Sequence, residues 1–275
     1  LRSLGAKADL CVWAYSRHDR KQQPWLQPIS ERDQRSDLPV LAGGGGPVGE
    51  ELFERFLATG VSLWGAGAYK CGQGTLPYHP DLPCAEDRLR NALDWARYAE
   101  RFPLRGLVAT AWSRGTTDAP QYQPIDATLD LLVATALAWK GETDNLPAKA
   151  HGLLENLGEA ARLDRCRELM ERLTDQRKMA WNTAITLRET LASMDADPRR
   201  RSATRPEKLH AYLAGHIQSI EAIERESKAA FADSIPALWL DRYFQERLAP
   251  LRQEHADLQE RVGRVGIVRS QPTEC

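Results

Sequence analysis

Leu52-Phe-Glu-Arg-Phe-Leu-Ala-Thr-Gly-Val-Ser-Leu-Trp-Gly-Ala66 changes its period halfway along. Leu52, Phe53, Phe56 and Leu57 recur at steps of three and four, which places them on one face of a helix. Gly60 stops that pattern, and Val61–Ala66 (VSLWGA) is an apolar run of strand length. The helix also starts well. Pro47 suits a first helical turn, and Glu50 and Glu51 oppose the positive end of the helix dipole. A helix that delivers the chain straight into a strand is the unit from which α/β folds are built.

The same alternation extends in both directions. Asp9–Tyr15 (DLCVWAY) is an earlier strand. Ala85–Phe102 is a helix with Leu89, Leu93 and Ala96 on one face. Arg105–Trp112 (RGLVATAW) is a third strand. Asp126–Lys140 is an apolar helix with Leu129, Leu132, Val133, Ala136 and Leu137 inside and Gly141 after it. The order β–α–β–α–β–α predicts parallel strands joined by right-handed crossovers. Three such units fit an open sheet or part of a closed barrel equally well.

Past residue 145 the chain changes character. Residues 1–145 hold 14 of the 19 Gly, 10 of the 16 Pro and 6 of the 8 Trp, whereas 146–275 hold 41 of the 75 charged residues. Two regions are therefore expected, 1–145 and 146–275. In the second, Leu163, Cys166, Met170, Leu173, Arg177, Ala180, Ala184, Leu187, Leu191 and Met194 alternate at steps of three and four, a nearly heptad seam broken only by Arg177. Asp195-Ala-Asp-Pro198 ends this arm, which at ~1.5 Å per residue would be roughly 55 Å long. Leu209, Leu213, His216, Ile220 and Ile223 begin a second seam. Phe244, Leu248, Leu251, His255, Leu258 and Val262 form a third beyond Pro236. An antiparallel helical hairpin with its return arm kinked near Pro236 is expected.

Composition removes several functions. With 37 Lys plus Arg against 38 Asp plus Glu, the net charge is −1, so a general nucleic-acid binder is disfavoured. No run of about 18 apolar residues is present, so no membrane span is expected. Five cysteines with no CxxC pair give neither a disulfide framework nor a Cys-rich zinc site. Gly43–Gly46 lacks the Gly-Lys-Ser/Thr of a phosphate loop, and Gly65-Ala-Gly67 lacks the third glycine of a dinucleotide fingerprint. The six histidines show no HExxH spacing, and His216 and His255 fall on apolar seams, where packing is expected rather than metal ligation. Arg199, Arg200, Arg201 and Arg205 read as a solvated linker. No cofactor and no metal are called for. The chain starts at Leu1 in mid-pattern and is expected to be the later part of a longer polypeptide, which leaves its compartment open, with the cytoplasm favoured.

The aromatic residues around the strand ends carry the chemistry. Trp13 and Tyr15 belong to the first strand, Trp64, Tyr69 and Lys70 to the second, Trp112 and Arg114 to the third. Parallel α/β folds build their sites at the carboxyl ends of strands. Flat aromatic faces there suit a sugar ring, apolar on its C–H face and polar at its rim, and Lys or Arg can donate to its oxygens. By alternation Trp13 shares a face with Tyr15, and Trp112 with Arg114. Tyr69 and Lys70 have opposite parity, so one of them follows the strand inward unless the backbone breaks there. Packing of these tryptophans in a core is the competing expectation.

Four segments, in order, resemble the hexosaminidase D-like proteins of glycoside hydrolase family 20. Val12-Trp13-Ala-Tyr15 is similar to that family's V-W-x-Y strand, and Leu63-Trp64-Gly-Ala-Gly-Ala-Tyr69-Lys70 to its LW-x-A-x-A-[FY]-K segment. Arg88-Leu89-Arg90-Asn91 with Trp95 resembles its L-R-N-x-x-x-W helix. Gly106-Leu-Val-Ala-Thr110-Ala-Trp112-Ser-Arg114 resembles its G-[IL]-[IV]-x-T-x-W-x-R strand. The resemblance covers about residues 9–141. It implies the C-terminal part of a (β/α)8 TIM barrel, about three βα units corresponding to strands six to eight, with the helical hairpin outside it. It further implies a retaining exo-β-N-acetylhexosaminidase in which the substrate's own acetamido oxygen is the nucleophile. An adjacent Asp-Glu pair there orients the acetamido group and acts as general acid/base. No Asp-Glu dipeptide occurs in this sequence, so no catalytic residue is assigned to this chain and activity is not expected of it alone. Trp13, Tyr15, Trp64, Tyr69, Lys70, Trp112 and Arg114 are the implied substrate-binding residues. The implied partner is a carbohydrate with a terminal N-acetylhexosamine. Two other expectations stand beside it: a non-catalytic carbohydrate-binding relative, and an interaction protein whose helical arm forms a homodimer.

Overall fold

Gly60, at φ +77°, turns the chain at the position where the helical period fails. The computed structural model describes residues 9–13, 50–70, 81–111, 115–116, 119–120, 125–196 and 205–270. Strand β1 is Asp9–Trp13, helix α1 is Glu50–Leu57 and strand β2 is Ser62–Lys70. Helix α2 is Ala85–Arg101, with Glu86 and Asp87 in its first turn, and β3 is Leu104–Ala111. Two short strands follow, β4 (Gly115–Thr116) and β5 (Ala119–Pro120), which form a separate antiparallel pair. A 3-10 turn over Ile125–Thr128 leads into α3, Leu129–Trp139. Helix α4 is Leu146–Asn156, α5 Ala160–Ala196, α6 Pro206–Ala230 and α7 Ala237–Ser270.

The protein is thus a mixed α/β chain with a three-stranded parallel sheet of order β1-β2-β3. Among the described residues this sheet is open, with β1 and β3 at its edges. Its elements match the predicted alternation, but β2 continues to Lys70, four residues beyond the expected end. The reason lies in Gly65 and Gly67. A Cβ at Gly65 would stand 2.5 Å from Trp95 Cε3 and 2.7 Å from Leu107 Cδ2. The bare backbone lets α2 pack directly on the strand. Buried Asn91 of α2 fastens the same place, its Oδ1 accepting from the Ala68 N–H at 3.1 Å. Val12, Phe53, Leu63, Trp95 and Phe102 form the core between sheet and helices. Within it Phe53 stacks on Phe102 at 5.1 Å and meets Trp95 edge-on at 5.9 Å.

The chain divides into two compact units. The first holds the described residues within 1–72, 83–113 and 123–163, and the second those within 73–82, 114–122 and 164–275. In the first, α3 packs on α2 and α4 through Leu146 and the small residues Ala92, Ala134, Ala138 and Ala150, which let the helices approach closely. Trp139 Nε1 donates to the Ala92 carbonyl at 3.1 Å, so this tryptophan belongs to the helical packing.

In the second unit the seam expected along α5 is buried: Cys166, Met170, Leu173, Ala180, Ala184, Leu187 and Leu191 are all inaccessible or nearly so. The expected hairpin is corrected in one respect. The return path is two helices rather than one kinked arm. Buried Phe231 closes α6, with its N–H donating to the Ser227 carbonyl, and the turn through Ile235 leads to Pro236 at the start of α7. Proline has no N–H to continue a helix and is at home in a first turn, so the break is complete. Ion pairs Lys228–Asp241 and Arg252–Glu221 then fix α7 antiparallel to α6.

Arg177, the one interruption of the seam, is explained by Asp81. That carboxylate is fully buried. It accepts from Arg177 Nη1 at 2.7 Å, from Tyr243 Oη at 2.7 Å and from Arg247 Nε at 2.5 Å. The Asp81 N–H donates to Thr174 Oγ1 at 2.8 Å. Burial by itself would raise the Asp81 carboxyl, but the two guanidiniums outweigh it and hold the group below the usual carboxylate range. Among the described residues no helix is long and apolar enough to cross a membrane.

Candidate functional site

Two register shifts shape the sheet. Leu63 pairs with Leu104 but Trp64 with Gly106, so Arg105 is an extra residue in β3. Ala68 pairs with Thr110 but Lys70 with Ala111, so Tyr69 is an extra residue in β2. Such bulges re-aim side chains and are frequent beside active sites. The second one supplies the backbone break that the consecutive pair Tyr69-Lys70 requires. Both side chains are buried, at 5% and 3% exposure, at the carboxyl end of a parallel strand.

Their electrostatics follow from that burial. Desolvation raises the Tyr69 phenol. It lowers the Lys70 ammonium to about 8, and no carboxylate among the described residues pairs with it. Lys70 is therefore a cation at neutral pH that titrates within reach of ordinary assays. Beside it, the Thr110 hydroxyl donates to the Gly67 carbonyl at 2.8 Å and ties the ends of β2 and β3 together. Ala111, the register partner of Lys70, immediately precedes Trp112.

The other sequence-predicted residues are placed as follows. Trp13 ends β1, opposite Ala66, and is 54% exposed. By register it lies on the face of the sheet away from α2, since its neighbour Val12 is in the core shared with Trp95. Trp64 lies near the amino end of β2, not with Tyr69 and Lys70. At ~3.3 Å per residue the separation along the strand is on the order of 15–20 Å. Its Nε1 donates to Asp9 Oδ2 at 3.0 Å, and its ring covers Gly106, where a Cβ would stand 2.6 Å from Trp64 Cζ3. The indole N–H, then Arg105, holds the Asp9 carboxyl below its ordinary range. Tyr15, Trp112 and Arg114 lie outside the described residues.

The structure therefore brings Tyr69, Lys70 and Thr110 to one end of the sheet with the chain entering Trp112. Thr110 and Asn91 were not singled out for that end. Thr110 is a polar residue inside an apolar strand, whereas Asn91 stands among the charged residues Arg88, Arg90 and Asp94 and carries no such signal. Chemically, the cluster offers a buried ammonium, a buried phenol and a threonine hydroxyl committed to the Gly67 carbonyl. Among the described residues no group of three or more His, Cys, Asp or Glu is arranged to hold a metal ion. Comparison with models of known families, with curated proteins and with solved structures gave no match for this chain.

Proposed function

We propose that the sheet-bearing unit supplies the aromatic and basic wall of a sugar pocket in a retaining exo-β-N-acetylhexosaminidase, as the last βα units of a (β/α)8 barrel. The observation that carries this reading is the bulged pair Tyr69-Lys70, buried at the carboxyl end of a parallel strand. It supports a site at the place where parallel α/β enzymes put one. It also falls within the segment that resembles family 20.

In such a reaction the substrate's acetamido oxygen attacks its own anomeric carbon while a general acid protonates the departing oxygen. Water then opens the resulting oxazoline, and the same group accepts its proton. The residues of this chain hold the sugar during these steps. Trp112 presents a flat face to the ring, Arg114 donates to a hydroxyl at its rim, and Trp13 with Tyr15 forms a second wall. Lys70 donates to the acetamido side, with Tyr69 packed against it. The Asp-Glu pair has to come from sequence other than this chain.

The test is hydrolysis of an aryl N-acetyl-β-hexosaminide. A polypeptide that joins this chain to such a pair should cleave it, and this chain alone should not. Protonating the leaving group is typically worth about 10²–10⁴-fold. Cleavage at an ordinary enzymatic rate by residues 1–275 alone would overturn the assignment of roles.

A further inference from the structure

Two histidines in the helical unit sit face to face. His210 of α6 and His255 of α7 stack with ring centroids 4.5 Å apart and planes 12° from parallel. Each Nε2 is buried, and neither has a hydrogen-bond partner among the described residues. Parallel stacked rings cannot converge their lone pairs on one metal ion, so the pair is not a chelate.

We propose that the His210–His255 stack makes the pairing of α6 with α7 acid-sensitive, firm while His210 is neutral and loosened when it takes up a proton. The charged residues of α7 around His255 are engaged with other partners. On α7, Arg252 is paired with Glu221 of α6, Glu254 with Arg188 of α5, and Asp257 accepts from Gln253. Arg261 is paired with Asp195 of α5. On α6, Glu207 and Lys208 lie in the same turn as His210. Desolvation comes first in lowering the His210 pKa and the neighbouring His255 second. A proton on His210 therefore enters a partly dry site against the stacked ring of His255.

The sign follows from linkage. A histidine whose folded pKa is depressed binds its proton more readily when the chain is unfolded. Its contribution is fully present above about pH 6.5, the unfolded value, and is lost as pH falls toward the folded one. For one histidine that stays neutral in the fold, lowering pH from 7.5 to 5.5 multiplies the unfolding constant by about tenfold.

The experiment is urea unfolding of the full chain, followed by circular dichroism at both pH values, for the wild type and for His210→Phe. Phenylalanine keeps the stacked ring and removes the titration. The wild-type unfolding constant should rise more than that of the variant between pH 7.5 and 5.5, by up to about tenfold. Equal ratios in the two proteins would overturn the proposal. Should the variant fail to fold, proton NMR titration of the wild-type imidazoles decides. A His210 resonance that titrates below the ordinary histidine range supports the proposal, and one that titrates at about 6.5 contradicts it.

Discussion

Asp81 shows how one residue governs a helical unit. It holds two guanidiniums and a phenol from helices far away in sequence, Arg177 lying 96 positions off and Arg247 166. The Arg247 guanidinium also rests 3.4 Å from the centroid of the Tyr243 ring. Asp81→Asn keeps the shape and removes the charge, leaving two buried cations without their counter-ion. Loss of one partner from a buried ionic cluster costs about 3–5 kcal/mol. Urea unfolding at neutral pH should show a loss of that size, and an unchanged midpoint would contradict the role given to the cluster. Because the folded carboxyl titrates below its ordinary value, its stabilisation is present above about pH 4 and is lost as pH falls through the folded pKa. Only half of this was legible in the sequence. Arg177 announced itself as the one charge on an apolar seam. Asp81 could not, because it sits in a stretch without periodicity and its partners come from three-dimensional packing. Lys70 makes a second prediction at this scale. In the enzyme it is proposed to serve, its hydrogen bond to the sugar should weaken as pH rises through about 8, where the ammonium loses its proton. A Lys70→Met variant should lose that alkaline limb of kcat/KM, and an unaltered profile would remove Lys70 from the pocket.

At the scale of elements, the alternation of helix and strand could be read from period and from Gly60, and every predicted strand is present in the described sheet. The end of β2 could not. Gly-Ala-Gly-Ala has little strand propensity, yet it continues the strand because α2 needs a surface without side chains on which to lay Trp95. Trp64, near the end of the expected strand Val61–Ala66, therefore lies close to the beginning of the observed one. The break between α6 and α7 was visible as Pro236, but the full reversal depends on Phe231 being buried and on ion pairs between the two helices. The α5 seam gives a direct test of element packing. Leu173 and Leu187 are fully buried. Leu173→Asp or Leu187→Asp should cost at least about 2–5 kcal/mol, the loss from truncating a buried leucine, to which the desolvated carboxylate adds. Thermal unfolding followed by circular dichroism should show the loss, and an unchanged transition would mean that the seam is misassigned.

For the molecule as a whole, a parallel sheet unit and a helical unit are both accounted for by sequence pattern and packing, whereas the proposed function rests on one end of one sheet. The proposed pocket makes two tryptophans do different work. Trp112 follows β3 at the proposed site, while Trp139 is bonded to the Ala92 carbonyl within the helix packing. Loss of an aromatic platform typically costs about 1–3 kcal/mol of binding, by analogy with other stacking surfaces. The decisive measurement is kcat/KM for an aryl N-acetyl-β-hexosaminide in a polypeptide that carries this chain and an Asp-Glu pair, compared among wild type, Trp112→Ala and Trp139→Ala. The pocket predicts a fall of about 5–150-fold for Trp112→Ala, and for Trp139→Ala a loss of stability with kcat/KM of the folded fraction retained. Full kcat/KM in Trp112→Ala would contradict it and return that tryptophan to the core.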